Sequence, residues 1–205
     1  MPRKPTNFLM GALVAVPVTL TVAAPASDLM AATQSDAAMA SVSQDHIKEL
    51  FFAAARAGRD DLLSGLIRSG MKPDERDAHG YTALIIAAYS GQARTVDVLL
   101  SMGAEPCATD PKGNSSLMGV AFKGNVAIAQ RLIAAHCGVN SRNDVGQTAL
   151  MMAALFGQIE VVKLLLANDA DPRLQDRSGN TASSLAQQQG NQQIVPLLMR
   201  PAGGG

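Results

Sequence analysis

Residues 146–157 read GQTALMMAALFG, and this stretch sets the frame for most of the chain. Thirty-three residues earlier the sequence reads GNSSLMGVAFKG, and thirty-three residues before that it reads GYTALIIAAYSG. Glycines continue the same spacing at positions 58, 179 and 190. A fixed period in this range predicts a solenoid, because each unit buries its apolar face only by stacking on its neighbours.

The sequence of each 33-residue unit predicts two helices joined by a tight turn. Thr82 and Thr148 stand where a hydroxyl can cap the first helix, and Gly157 permits the sharp reversal after it. The segments that follow read RTVDVLL, AIAQRLI and EVVKLLL, with apolar residues at helical spacing. Four residues share the position after the second helix, and their types tolerate a left-handed backbone: Gly70, Gly103, His136 and Asp169.

The stretch Asp77–Ala88, DAHGYTALIIAA, resembles the ankyrin repeat, whose motif runs D-x-x-G-x-T-P-L-H-x-A-A-x-x-G before a second helix. Gly146 to Ala154 matches the same motif. The resemblance implies an all-α fold, an ankyrin-repeat solenoid of about five helix-turn-helix repeats with short hairpin loops, over residues 44–200.

Both ends of the predicted solenoid depart from the motif. The opening segment HIKELFFAAARAG has no D-x-x-G-x-T entrance, as expected of a terminal repeat with no neighbour on one side. Phe51 and Phe52 are predicted to lie in the core. The last repeat becomes polar at AQQQGNQQ, and Pro196 falls inside its predicted final helix, which it should shorten or bend.

The amino terminus predicts export. Residues 1–26 combine a short basic region, an apolar run and the small residues Ala24-Pro25-Ala26, which is the pattern of a cleaved signal peptide. An uncleaved anchor is the alternative, although the run is shorter than the roughly 20 residues that span a bilayer and contains Pro17. We expect a periplasmic protein, with a flexible lead-in over residues 27–43 and a disordered tail over 201–205.

In ankyrin repeats the hairpin tips and the exposed side of the first helix form a concave surface that binds protein partners. Carried over position by position, the resemblance predicts a set of partner-binding residues: His79, Tyr81, Tyr89, Lys112, Asn114, Phe122, Lys123, Gln147, Leu155 and Phe156. Tyr89, Phe122 and Leu155 share one repeat position, so we expect them to form a stripe. The alternative is that the aromatic rings only pack between helices.

Cys107 and Cys137 lie in corresponding turns of adjacent predicted repeats, 30 residues apart. An even number of cysteines in an exported protein favours a disulfide. Stacked repeats hold equivalent atoms apart, so the three-residue offset between the two positions has to bring them within bonding distance. The sequence therefore predicts a disulfide between these two residues.

No catalytic or metal-binding pattern accompanies the repeats. Three histidines and two cysteines are scattered over different repeats, whereas a structural zinc needs about four ligands. Asp77, Asp110 and Asp176 are expected to hold backbone amides at the hairpin turns. The formal net charge of +0 gives no reason to expect nucleic acid as a partner. We therefore expect a monomeric protein that is not an enzyme, has no cofactor and has no membrane span after cleavage.

The chain is also similar to small exported bacterial ankyrin proteins, one group of which accompanies a periplasmic catalase and supports resistance to hydrogen peroxide. That similarity implies a periplasmic adaptor for a catalase or another haem protein. The alternative function is an immunity protein that inhibits a toxin delivered into the periplasm. A toxin inhibitor should present a strongly charged groove, whereas the predicted surface is mixed and aromatic, which favours the adaptor.

Overall fold

The computed structural model describes residues 43–199, and these residues form ten helices with no named strand. The helices are α1 (43–57), α2 (Asp60–Arg68), α3 (Ala83–Tyr89), α4 (Ala93–Ser101), α5 (Ser116–Lys123), α6 (Val126–Ala134), α7 (Ala149–Leu155), α8 (Ile159–Leu166), α9 (Ala182–Gln188) and α10 (Val195–Met199). The predicted signal peptide, the predicted lead-in except residue 43, and the predicted tail lie outside the described residues.

The helices form two layers. In one layer α3 packs on α5, α5 on α7, and α7 on α9. In the other, α2, α4, α6 and α8 pack in the same order, and the helical hairpins α3–α4, α5–α6 and α7–α8 join the two layers. This arrangement confirms the predicted solenoid of helix pairs. No helix in the described part of the chain is long and apolar enough to cross a membrane.

Side-chain caps begin the first-layer helices. The hydroxyl oxygens of Thr82, Ser115 and Thr148 each accept a hydrogen bond from the backbone amide three residues later, at 3.3 Å in all three cases. Thr181 caps α9 in the same way, and the Ser184 hydroxyl accepts a bond from the Thr181 amide in return. Each cap satisfies one of the amides that a helix start leaves without a partner. The predicted caps at Thr82 and Thr148 are confirmed.

Left-handed residues end the second-layer helices, as predicted. His136 and Asp169 both have φ of 62°, and Gly70 and Gly103 have positive φ at the equivalent positions. The amides of His136 and Cys137 donate to the carbonyls of Ile133 and Leu132, which closes the end of α6. These turns let the chain leave one repeat and enter the next hairpin without an insertion.

Leucines at the repeat period form the centre of the core. Leu84, Leu117 and Leu150 are almost fully buried, at 0%, 0% and 1% exposure. Alanines pack around them, including the pair Ala153 and Ala154 in α7, and their small side chains let neighbouring helices approach closely. Phe51 and Phe52 are buried at the amino-terminal end, as predicted.

The final helix is short, in agreement with the prediction that Pro196 would shorten or bend it. Helix α10 spans only Val195–Met199, so Pro196 lies in its first turn rather than in its interior. The first amides of a helix have no intrahelical partner, and a proline there therefore removes no helical hydrogen bond. Leu198 of this helix is buried and closes the carboxy-terminal end of the core.

Candidate functional site

Asparagine or aspartate side chains hold the hairpin turns. The Asp110 carboxylate accepts hydrogen bonds from the amides of Lys112 and Asn114, at 2.8 and 2.9 Å. Asp77 and Asp176 make the same pair of bonds in their own hairpins, which confirms the predicted role of all three aspartates. Asn143 takes this role in the remaining hairpin through its Oδ1 atom.

Backbone and side-chain bonds tie neighbouring hairpins together. The Arg76 guanidinium donates to the Thr109 carbonyl of the next hairpin at 2.7 Å. The Asp144 amide donates to the Lys112 carbonyl at 3.0 Å, and the Arg177 amide donates to the Val145 carbonyl at 2.9 Å. The hairpins are therefore held in register with one another, and side chains projecting from them have a fixed spacing.

Three aromatic side chains and one lysine lie next to one another at the ends of α3, α5 and α7, on the side of these helices that we call the open side. We call these four residues the aromatic face: Tyr89, Phe122, Lys123 and Phe156. The rings of Tyr89 and Phe122 stack with centroids 6.1 Å apart and planes inclined by 10°. Phe122 and Phe156 meet edge to face at 4.3 Å. The Lys123 ammonium lies 4.7 Å from the centroid of the Tyr89 ring. Tyr89 and Phe156 are each 47% exposed.

Phe156, rather than Leu155, continues the line of rings. Leu155 is half-buried and packs against the core, although it shares the repeat position of Tyr89 and Phe122. Phe156 is the residue after the last turn of α7, and its side chain reaches Phe122 instead. The predicted stripe therefore exists from Tyr89 to Phe122 and shifts by one residue in the third repeat.

The other predicted binding residues lie on the hairpins and are used differently. His79 and Tyr81 are exposed neighbours, with ring centroids 6.5 Å apart. The exposed Lys112 follows in the next hairpin. Asn114 and Gln147 are half-buried, and their side-chain oxygens accept hydrogen bonds from the Asn143 amide group at 2.8 and 3.3 Å. Asn114 and Gln147 therefore support the hairpins as well as lining their surface.

A cavity of about 460 Å³ opens beside the aromatic face. Its lining includes Ile86, Tyr89, Met118, Gly119, Phe122 and Met152. Arg56 and Asp110 also line it. Sequence reasoning missed this cavity, although the repeat alignment carries a signal: Gly119 occupies the position held by Ile86 and Met152 in the adjacent repeats.

Cys107 and Cys137 are neighbours but are free thiols in this structure, not the predicted disulfide. The Cys107 sulfur accepts a hydrogen bond from the Gly138 amide at 3.1 Å and lies 3.6 Å from the His136 carbonyl oxygen. Burial, together with a hydrogen bond to Cys107, raises the pKa of the Cys137 thiol. The repeat offset thus brings the two side chains into contact, and their oxidation stays a prediction.

Metal-ligating side chains do not cluster in the part of the chain that the structure describes. The stacked helix pairs, ordered hairpins and exposed rings define a repeat scaffold with one continuous open face. The chain belongs to the ankyrin-repeat family, since the family model described as "Ankyrin repeats (3 copies)" matches residues 29–110 and 117–204. Proteins of this kind are generally non-catalytic scaffolds, and the repeats imply protein partners. No curated protein sequence matches the chain.

Proposed function

We propose that this protein is a periplasmic scaffold that docks a partner enzyme through its concave face, and that the partner is a catalase or another haem protein needed for peroxide resistance. The aromatic face is the observation that carries the proposal. It places Tyr89, Phe122 and Phe156 in contact with one another while leaving two of the three rings about half exposed. Exposed aromatic side chains on a rigid support are the usual anchors of protein interfaces.

The support beneath these rings makes binding without rearrangement feasible. Tyr89 ends α3 and Phe122 lies in the last turn of α5, and these two helices pack directly on each other. Because the rings are already stacked, a partner would order few additional side chains on binding, and the entropy cost of association is small. Lys123 adds a positive charge at the edge of the same surface.

Affinity capture of the tagged protein from its own periplasm, under light crosslinking, tests the proposal. The control is the double variant Tyr89→Ala, Phe122→Ala, with Gln130→Ala on the exposed side of α6 as a matched second-layer variant. We expect a catalase or haem enzyme to be recovered with the parent protein and the Gln130 variant, and lost with the double variant. Recovery of an envelope-attacking hydrolase or nuclease would instead identify an immunity protein.

Cleavage of the predicted signal peptide is tested by the mass of the exported protein. The intact mass of the protein recovered from the periplasm should correspond to a chain that has lost residues 1–26. A protein retained in the membrane fraction with its first residue intact would contradict the cleaved signal peptide and favour the anchor.

A further inference from the structure

Gly119 opens the cavity beside the aromatic face. It lies inside α5, at the repeat position where α3 has Ile86 and α7 has Met152. A Cβ atom built on Gly119 would meet only Cδ2 of Tyr89, at 3.5 Å, which is an ordinary contact distance. The space that a long apolar side chain fills in the neighbouring repeats is therefore left open in the middle repeat.

The opening has apolar walls and an aromatic rim. Ile86 and Met118 are buried, at 7% and 2% exposure, whereas Tyr89 on the rim is 47% exposed. The volume of about 460 Å³ falls within the roughly 300 to 1,000 Å³ typical of ligand-binding clefts. One glycine inside a helix costs about 1 kcal/mol relative to alanine, so the opening exists at the expense of helix stability.

Positive charge predominates at the mouth of the cavity. Arg56 lines it, is exposed, and makes no ion pair with any of residues 43–199. The ammonium group of Lys123 stands over the Tyr89 ring and is likewise unpaired within that range. The Asp110 carboxylate also lines the cavity and offsets one of these two cations, which leaves an excess of positive charge at the mouth. It is held within its own turn by three hydrogen bonds from Lys112 and Asn114, at 2.8 to 3.0 Å.

From this geometry we infer that the cavity is a socket for a short apolar segment of the partner protein, with an acidic residue beside the inserted side chain, and that Gly119 is the residue that creates it. The inference rests on the proposed function and names the chemistry of the segment that docks. The apolar walls accept the large side chain. Arg56 and Lys123 then attract the neighbouring carboxylate, as charge complementarity at an interface requires.

A random decapeptide library displayed on phage, selected on the immobilised protein, supplies the probe. We expect enrichment of sequences that place a large apolar residue next to Asp or Glu. Synthetic copies of the enriched peptides are then titrated against the protein by fluorescence anisotropy. Substitution Gly119→Met, which places the Met152 side chain type in the middle repeat, should weaken their binding by at least about tenfold.

Gly65→Met is the matched control, because Gly65 is also a helical glycine and nothing lies within 4 Å of a Cβ atom built there. This control should leave peptide affinity unchanged. Gly119→Ala adds only a methyl group and should give a smaller loss than Gly119→Met. Circular dichroism verifies that all three variants remain helical, and Gly119→Ala keeps the test decisive if the methionine variant fails to fold.

Reversal of the charge at Arg56 tests whether the bound peptide carries an acidic residue beside its inserted side chain. Arg56→Glu should weaken binding of the acidic peptide severalfold, and replacing the peptide's Asp or Glu by Lys should restore it. Equal affinity of both peptides for the parent protein and for the Arg56 variant would overturn this part of the inference.

Three further results would overturn the socket. They are failure of the parent protein to enrich any peptide, equal peptide binding by the Gly119→Met and Gly65→Met variants, and self-association of the protein that Gly119→Met abolishes, since the occupant would then be a second copy. In each case the proposed scaffold function is judged separately. If the double aromatic variant still loses the captured partner, the aromatic face binds a protein and only the socket is wrong.

Discussion

Helices α3, α5 and α7 have one side that repeats and one side that does not. On the buried side, Leu84, Leu117 and Leu150 are the same residue at the same repeat position. On the open side, one position holds Ile86, Gly119 and Met152 in turn. The buried side must fit identical neighbours above and below, whereas on the open side this position lines the cavity, and its side chain can differ from repeat to repeat. The period therefore defines the fold, and the departures from it mark the candidate site.

The largest expected effect comes from the buried side. Leu117→Ala should lower the free energy of unfolding by about 2 to 5 kcal/mol, because it removes buried apolar surface and leaves a void between repeats. Urea denaturation followed by circular dichroism measures the change. A loss below about 1 kcal/mol would contradict the assignment of Leu117 to the core.

A disulfide between Cys107 and Cys137 would join the turns that follow α4 and α6. Closing this loop should add about 3 to 4 kcal/mol on the chain-entropy estimate. Non-reducing mass spectrometry of the exported protein should show the loss of two hydrogen atoms, and added reductant should lower the denaturation midpoint. Full labelling of both thiols by a maleimide in the unfolded, unreduced protein would contradict the bridge.

On the open side, Gly119→Ala should have an effect of opposite sign to Leu117→Ala. Alanine is a better helix former than glycine, and its methyl group meets Tyr89 at an ordinary distance, so stability should rise by up to about 1 kcal/mol. The same urea titration measures it, with Gly65→Ala as reference. A clear loss of stability at Gly119 alone would mean that this position is packed rather than open.

Removal of a helix cap should change the free energy of unfolding by a similar amount. Thr148→Ala removes the acceptor for the Met151 amide and should cost about 1 kcal/mol, whereas Thr148→Ser retains the hydroxyl and should cost less. Equal losses for alanine and serine would assign the effect to the buried methyl group of Thr148 instead of the cap.

The smallest effect concerns Asp176. Burial raises the pKa of its carboxyl, but the hydrogen bonds from Asn180 and Ser178 and the charge of Arg142 outweigh it, so the pKa is lowered overall. A lowered pKa in the folded state stabilises the protein above the unfolded pKa, and this contribution is lost as pH falls through the folded pKa. Asp176→Asn places at this turn the residue type that Asn143 supplies in its own hairpin. The free energy of unfolding of the parent and of this variant should therefore differ less as pH falls and the Asp176 carboxyl becomes protonated.

The period predicted much of the fold because its signals are local. Thr148 as a cap, His136 as a left-handed residue and Asp110 as a turn acceptor each follow from residue type and position, and the structure confirms all three. Pro196 predicted a shortened or bent final helix, but the residue at which that helix begins was not predicted, since the start of a short terminal helix depends on packing rather than on local pattern.

The candidate site was harder to predict because it depends on contacts between repeats. The shared repeat position of Tyr89 and Phe122 predicted that their rings would be neighbours. That Phe156 rather than Leu155 continues the line of rings depends on how the chain leaves α7. The cavity at Gly119 is visible only when three repeats are placed side by side. A missing side chain gives little signal in one repeat, and the size of the resulting space is a property of its neighbours.

Calorimetric titration of the captured partner, once purified, tests the central claim that the open side binds a protein. The parent protein, the Tyr89→Ala, Phe122→Ala variant and the Gln130→Ala variant are compared under the same conditions. The account predicts that the aromatic variant stays folded and loses at least about 2 kcal/mol of binding free energy, while the Gln130 variant binds as the parent does. Unchanged affinity in a folded aromatic variant would contradict it.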